Sequence, residues 1–230
     1  MKTLNDYFTK IYVLNLDKRP DRYQQCQIEF KKIEIDVERV SAMDGTKIPN
    51  TEHLGFREKA CFAVTTRHRE LLSEALIKKY DNILIFEDDV KFIDNFNEIF
   101  NERIKFLPED WDLLLIGGNH ILYVNGFDLI TGDKNFKVTK ENYKTLNYEL
   151  SKSPCTYCTH AIAINSRFYN RVIDKMKEFP TAPTDNLYYQ LQMEGCNAYT
   201  FLPSLVKQTA GFSDVENTYV DYDSMPQVSF

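Results

Sequence analysis

The sequence predicts an α/β fold: a mixed, mainly parallel sheet flanked by helices. β-favouring apolar runs alternate with segments of helical spacing through the first half of the chain, which implies crossover connections and parallel strands. A polar, turn-rich excursion and a late apolar strand then add an antiparallel component. With 230 residues, 43% hydrophobic and 27% charged, the chain is long enough to bury a sizeable core, and residues 1–230 read as one domain.

"KIYVLNLD" (10–17) reads as a buried strand, stopping at "KRPDR". Pro20 suits the first turn of a helix, with Asp17 or Arg19 near its cap, and "DRYQQCQIEFKKI" has helical spacing. "DVERVSAMDGT" is a second strand closed by an Asp-Gly turn, and residues 57–79 form a long helix with a basic end. "ILIFEDDV" (83–90) is the third strand, followed by a helix capped by Asp94 or Asn95. "WDLLLIGG" ends at Gly117 and Gly118, and residues 119–152 hold short strands or loops with turns at Asn125-Gly126 and Gly132-Asp133. "TYCTHAIAIN" is one strand. A helix capped by Ser166 follows, then one capped by Thr184 or Asp185, then the strand "NAYTFL" and an irregular tail.

Ligands of such sheets sit at the carboxyl ends of strands, which puts "NLDKR", "SAMDG", "EDD" and "GGNH" on a common rim. In a continuous strand Glu87 and Asp89 face one side, ~6.6 Å apart, and Asp88 the other. Two same-side carboxylates with open positions suit magnesium or manganese, and such a cation neutralises a diphosphate. The plain alternative is an acidic strand end that only solubilises, yet three adjacent like charges repel without a counter-ion. Glycosidase chemistry needs carboxyl groups on opposing faces of a sugar, which one strand does not supply.

Other candidates are weaker. Arg19 and Arg22 either clasp phosphate or are simply solvated. Gly117 and Gly118 either admit a ligand or permit a turn, and His160 reads as a core histidine. Cys155 and Cys158 lack the second pair that a zinc site needs, so the five cysteines read as mostly buried thiols of a reducing compartment. The net charge of -6 argues against nucleic acid. No dinucleotide or phosphate-loop glycine motif and no serine nucleophile elbow occurs. Without a signal-like start or an apolar run of ~20 residues, the chain is expected to be cytoplasmic, with peripheral membrane contact left open.

"IYVLNLDKRPDR", "ILIFEDDV", "WDLLLIGG", "CTHAIAIN", "PTDN" and "QTAGFSDV" resemble, in order, the motifs of glycosyltransferase family 25 across residues 10–215. The resemblance implies a GT-A fold of Rossmann type, a UDP-sugar donor, commonly UDP-galactose, a manganese or magnesium ion and inversion at the anomeric carbon. It assigns the metal to Asp89 and Glu87, and the donor to Asn15, Leu16, Arg19, Arg22, Asp44 and Asp88, with Gln208 and Ser213 as further contacts. The acceptor is a glycan, a lipid-linked sugar or a protein hydroxyl. Asp185, matching the family's Pro-x-Asp, is the expected general base and Asp214 the second choice; Asp185 also suits plain helix capping. One departure stands out: the family's Gly-Cys-x-x-Ser-His is "ACFAVT" here, with Ala60 for glycine and Val64-Thr65 for Ser-His. His68, almost one turn further on, is a possible substitute. Two other readings remain: an impaired transferase fold that only binds glycans or a partner, and a metal-dependent enzyme of phosphate esters.

Overall fold

The computed structural model describes residues 1–121, 146–153 and 155–222, together with strand backbone at 123–124, 127–130, 137–138 and 228–229. In chain order it begins with β1 (Lys10–Asn15), α1 (Pro20–Lys32), β2 (Glu38–Ser41), a 3-10 turn at Gly45–Lys47, α2 (Phe56–Lys78) and β3 (Asn82–Glu87). Next come β4 (Val90–Phe92), α3 (Phe96–Arg103), β5 (Leu113–Leu115), β6 (Asn119–Ile121), β7 (Tyr123–Val124), β8 (Phe127–Ile130) and β9 (Lys137–Val138). The remainder is β10 (Glu149–Lys152), β11 (Thr156–Tyr157), β12 (Ala161–Asn165), α4 (Tyr169–Glu178), α5 (Thr184–Met193), β13 (Ala198–Leu202), β14 (Val206–Gln208), β15 (Gly211–Ser213), β16 (Thr218–Val220) and β17 (Val228–Ser229). The turns expected at Asn125-Gly126 and Gly132-Asp133 lie outside the described residues.

Seven strands form the main sheet in the order β10-β13-β5-β12-β3-β1-β2. β1 pairs parallel with β2 and β3, and β13 with β5, while β12 runs antiparallel between β3 and β5 and β10 antiparallel at the edge. The mixed, mainly parallel sheet is therefore as expected. Strand alternation sends Val13, Leu84, Phe86, Leu114, Ile116 and Phe201 to one face, where they pack with Phe30 of α1 and Phe96 and Phe100 of α3. Tyr12, Ile83, Ile85, Leu113, Ile162 and Ile164 go to the other face, against Leu72 of α2, Tyr169 of α4 and Tyr188 of α5. Among the described residues no helix is long and apolar enough to cross a membrane.

Several local expectations are corrected. The run through "EDDV" is not one strand: β3 ends at Glu87, Asp88 and Asp89 form a turn, and β4 restarts at Val90. Asp94 does not cap α3; Asn95 does, in the left-handed conformation (φ 56°), and Asp94 instead meets Lys32 at 3.3 Å. Asn165 rather than Ser166 caps the 3-10 turn Ser166–Phe168 that leads into α4, accepting from the Arg167 amide at 3.2 Å, and the N-cap of α4 itself is Phe168, without a side-chain bond. The expected strand over 156–165 divides into β11 and β12 at Cys158, whose φ is 75°. The α5 N-cap is Pro183, without a side-chain bond, so neither Thr184 nor Asp185 serves as the cap. The tail is ordered, with β14 antiparallel to β4 and β15 antiparallel to β16. These tail strands bring residues 206–222 back over the carboxyl edge of β1 and β3, where they wall a cavity of about 570 Å³.

Candidate active site

The cavity floor is built from strand ends. Asn15, the last residue of β1, is 1% exposed; its side-chain amide donates to Asp88 Oδ2 at 2.6 Å and to the Arg19 carbonyl at 2.9 Å. Its Oδ1 accepts from Arg39 Nε at 2.9 Å, so this buried amide is tied on both ends. Arg22, in the first turns of α1, reaches back with Nε to Asp88 Oδ1 at 3.0 Å and with an Nη to Asp89 Oδ2 at 2.7 Å. Both aspartates thus meet one guanidinium, and all three acids line the same cavity. Asp88 does not face away, because strand alternation stops where the turn begins.

Thr159 donates to Glu87 Oε1 at 2.6 Å, and Gln208 of β14 donates to Asp89 Oδ2 at 3.3 Å. Thr209 clamps the Asp89 carbonyl through its amide at 2.7 Å and its hydroxyl at 3.1 Å. Asp89 Oδ1, in contrast, is buried without a hydrogen-bond partner.

Burial first, and the nearby Asp89 charge second, push the Glu87 carboxyl up to about 8. Burial likewise raises Asp88 to about 6 against the pull of Arg22. Such a site is short of positive charge. Among the described residues no cluster of three or more His, Cys, Asp or Glu side chains is arranged to hold a metal. Glu87 and the unpartnered Asp89 Oδ1 nevertheless offer two hard oxygen donors. That set fits magnesium or manganese whose remaining positions go to phosphate and water.

The other expected residues divide into two groups. Leu16, Arg22, Asp88, Asp185, Gln208, Ser213 and Asp214 line the main cavity with Glu87 and Asp89. Asp185 has its pKa raised by burial, and its Oδ1 accepts from the Asn186 amide at 2.8 Å. Asp44 lines an adjoining pocket of about 80 Å³ and caps the 3-10 turn, accepting from the Thr46 amide at 3.1 Å. Arg19 meets not the acid triplet but Asp214, at 2.6 Å, and Lys18 bridges Asp214 at 3.3 Å and Asp44 at 3.4 Å. Asp214 is therefore held by two cations, a poor setting for a base.

His68 is not a substitute for the departed motif. It is fully buried against Tyr188, with Nδ1 3.3 Å from the Tyr188 hydroxyl, and burial lowers it to about 4. Val64 lines the cavity, while Thr65 is turned into the protein. His160 is the expected core histidine, Nε2 lying 3.1 Å from the Val206 carbonyl. Gly117 admits protein rather than ligand: a Cβ there would meet His160 Nε2 at 2.2 Å.

Sequence reasoning missed Arg57, Arg67, Thr159 and Tyr222, all of which line the cavity. Arg57 joins Glu216 through bonds of 3.0 to 3.2 Å, linking the start of α2 to the tail. Tyr222, pushed up to about 12 by burial and by Asp89 and Glu87, bonds with Ser213. The helical spacing of Arg57, Cys61, Val64 and Arg67 was a usable signal for one cavity-facing stripe. Tyr222 had none.

A profile described as glycosyltransferase family 25 (LPS biosynthesis protein) matches residues 8–188. The chain belongs to glycosyltransferase family 25. Probable inactive glycosyltransferase 25 family member 3 of Rattus norvegicus is 27% identical over 170 residues, covering 63% of this chain and 28% of that protein. Procollagen galactosyltransferase 2 of Homo sapiens is 26% identical over 164 residues, 63% of this chain and 26% of that one. Procollagen lysyl hydroxylase and glycosyltransferase of Acanthamoeba polyphaga mimivirus is 24% identical over 251 aligned residues, 96% of this chain and 27% of that one. This family 25 chain thus spans about a quarter of the length of the curated relatives it matches.

Proposed function

We propose that this family 25 chain transfers a hexose from a UDP-sugar to an acceptor hydroxyl, with inversion and with the help of manganese or magnesium. The observation that carries the reading is the unpartnered Asp89 Oδ1 beside a Glu87 carboxyl pushed up to about 8, at the floor of a cavity of about 570 Å³. A buried carboxyl and a neighbouring carboxylate oxygen left unpartnered are a seat for a cation and the diphosphate it accompanies. Glu87 and Asp89 would hold the ion, which supplies charge stabilisation of the departing diphosphate.

The chain's own groups do the rest. Arg22 fixes the orientation of Asp88 and Asp89 and keeps their charges from repelling each other. Leu16 and Gln208 bound the donor side of the cavity, with Asn15 holding Asp88 from behind, and Ser213 with Tyr222 bounds the tail side. Asp185 takes the proton of the acceptor hydroxyl, and its burial-raised pKa strengthens it as a base. The acceptor oxygen then attacks the anomeric carbon on the face opposite the leaving diphosphate, which inverts that centre. Galactose is the first donor to test because a relative is named a procollagen galactosyltransferase. A protein hydroxyl, a glycan or a lipid-linked sugar is the acceptor class.

A second reading, binding without turnover, draws on Val64 at the cavity wall and on the relative named inactive. Calorimetric titration with UDP, with and without manganese, followed by transfer assays with UDP- and GDP-sugars, separates the two. Transfer that Asp89→Asn reduces by about 10²-fold or more supports the transferase. UDP binding with no transfer to any acceptor supports the second reading. Phosphate release without an acceptor, or no manganese-dependent UDP binding at all, defeats the proposal.

A further inference from the structure

The threonine that departs from the family motif makes the tightest side-chain link between α2 and the start of α5. Thr65 is 1% exposed, and its Oγ1 lies 2.7 Å from Thr184 Oγ1 and 3.2 Å from the Ala182 carbonyl. A hydroxyl has one proton, so the accounting is settled by the carbonyl: Thr65 donates to Ala182, and Thr184 donates to Thr65. The two bonds straddle Pro183, the N-cap of α5, which makes no side-chain cap bond of its own. Asp185, the next residue after Thr184, projects into the cavity.

An uncapped helix start preceded by proline has few ways to fix where its first turn sits. The Thr184–Thr65–Ala182 chain supplies one, from a buried position on a 23-residue helix whose other end of contact is the core. We propose that Thr65 is a positioning residue for the Asp185 carboxylate. The proposal rests on Asp185 acting as the base. The groups that face Asp185 are Arg57 and Cys61 of α2, Glu87 at the end of β3, Tyr157 and Cys158 beside it, and Glu216 of the tail. A shift of the α5 start changes its distance to all of them.

The test compares wild type, Thr65→Val, Thr65→Ser, Thr184→Val and Asp185→Asn in the whole chain. Transfer kinetics and the Asp185 carboxyl titration, followed by 13C NMR, are read on each. Thr65→Val and Thr184→Val are expected to lower kcat by about 10²-fold at unchanged donor KM, the scale of a base displaced by about 1 Å. Both should also move the Asp185 titration towards the ordinary carboxylate range. Thr65→Ser keeps the hydroxyl and restores both. Equal impairment of Thr65→Ser, or Thr65→Val with wild-type titration, overturns the proposal and leaves Thr65 a packing residue. If Asp185→Asn transfers sugar as well as wild type, Asp185 is not the base; the titrations still decide whether Thr65 places its carboxylate.

Discussion

Glu87 shows how one buried side chain makes stability depend on pH. Its carboxyl rises from an ordinary 4.5 to about 8 because burial disfavours the charged form and Asp89 adds repulsion. Between those two values the folded protein holds a proton that the unfolded chain has released, so stability falls as pH rises, by up to about 1.4 kcal/mol per pH unit. Glu87→Gln removes that slope while keeping an acceptor for the Thr159 hydroxyl, which donates to Glu87 at 2.6 Å. The variant is expected to melt higher than wild type at pH 8, to match it near pH 5, and to lose metal-dependent transfer. Thermal melts at the two pH values check this; equal melting temperatures at pH 8 would show that the carboxyl is not destabilised by burial. Arg22 was expected from the sequence to meet the donor, not to hold the acids. Its grip on Asp88 and Asp89 spans 66 and 67 positions and depends on α1 folding back along β1, which no local pattern encodes.

At the scale of elements, the junction after β5 leaves no room for a side chain. A Cβ at Gly117 would meet His160 Nε2 at 2.2 Å and the Val206 carbonyl at 2.6 Å. Val206 cannot retreat freely, since β14 is paired with β4 from Val206 to Gln208. Gly117→Ala is therefore expected to cost roughly 1–3 kcal/mol through overpacking, read as a lower urea midpoint at unchanged slope. An unchanged midpoint would mean that β14 is free to shift. The central strands were legible because apolar runs such as "ILIF" and "DLLLI" bury on both faces, and α1 and α2 were legible from helical spacing. The tail was not: β14, β15 and β16 are three residues each, and their pairing with β4 and with one another is a tertiary event. The acid triplet was found, but its geometry was misjudged. β3 ends at Glu87, three residues before the expected end at Val90, and the turn that follows swings Asp88 round to share Arg22 with Asp89. The cap expected at Ser166 missed for a milder reason: a 3-10 turn, Ser166–Phe168, precedes α4, and Asn165 caps that turn one residue upstream.

The molecule as a whole carries two opposed sets of buried titratable groups. Burial lowers His68 to about 4 and His120 to about 3, and lowers His160 as well. Each histidine is neutral when folded and charged when unfolded over the interval between its folded value and about 6.5, so it makes stability fall as pH drops. Glu87, Asp88 and Asp185, all raised by burial, make stability fall as pH climbs. Between about 4.5 and 6 His68 and His120 act against Glu87 and Asp88, and stability should change little there. Above 6.5 these histidines are neutral in both states while Glu87 still holds its proton in the folded state, so stability declines towards pH 8. Below the ordinary carboxylate values the raised carboxyls are protonated in both states, while His120 still resists protonation, so stability should fall steeply. Urea titrations from pH 3.5 to 8.5 are expected to trace this plateau with two falling limbs, and Glu87→Gln to remove the alkaline one. Imidazole carbon shifts supply the independent check: His68 and His120 should keep their neutral signatures from pH 8 down to 5. Titration of any of them near 6.5 would place it in water rather than in the core, and would shift the acid limb from histidine burial to surface carboxylates such as Asp17 and Asp44, whose partners hold them below the usual carboxylate range.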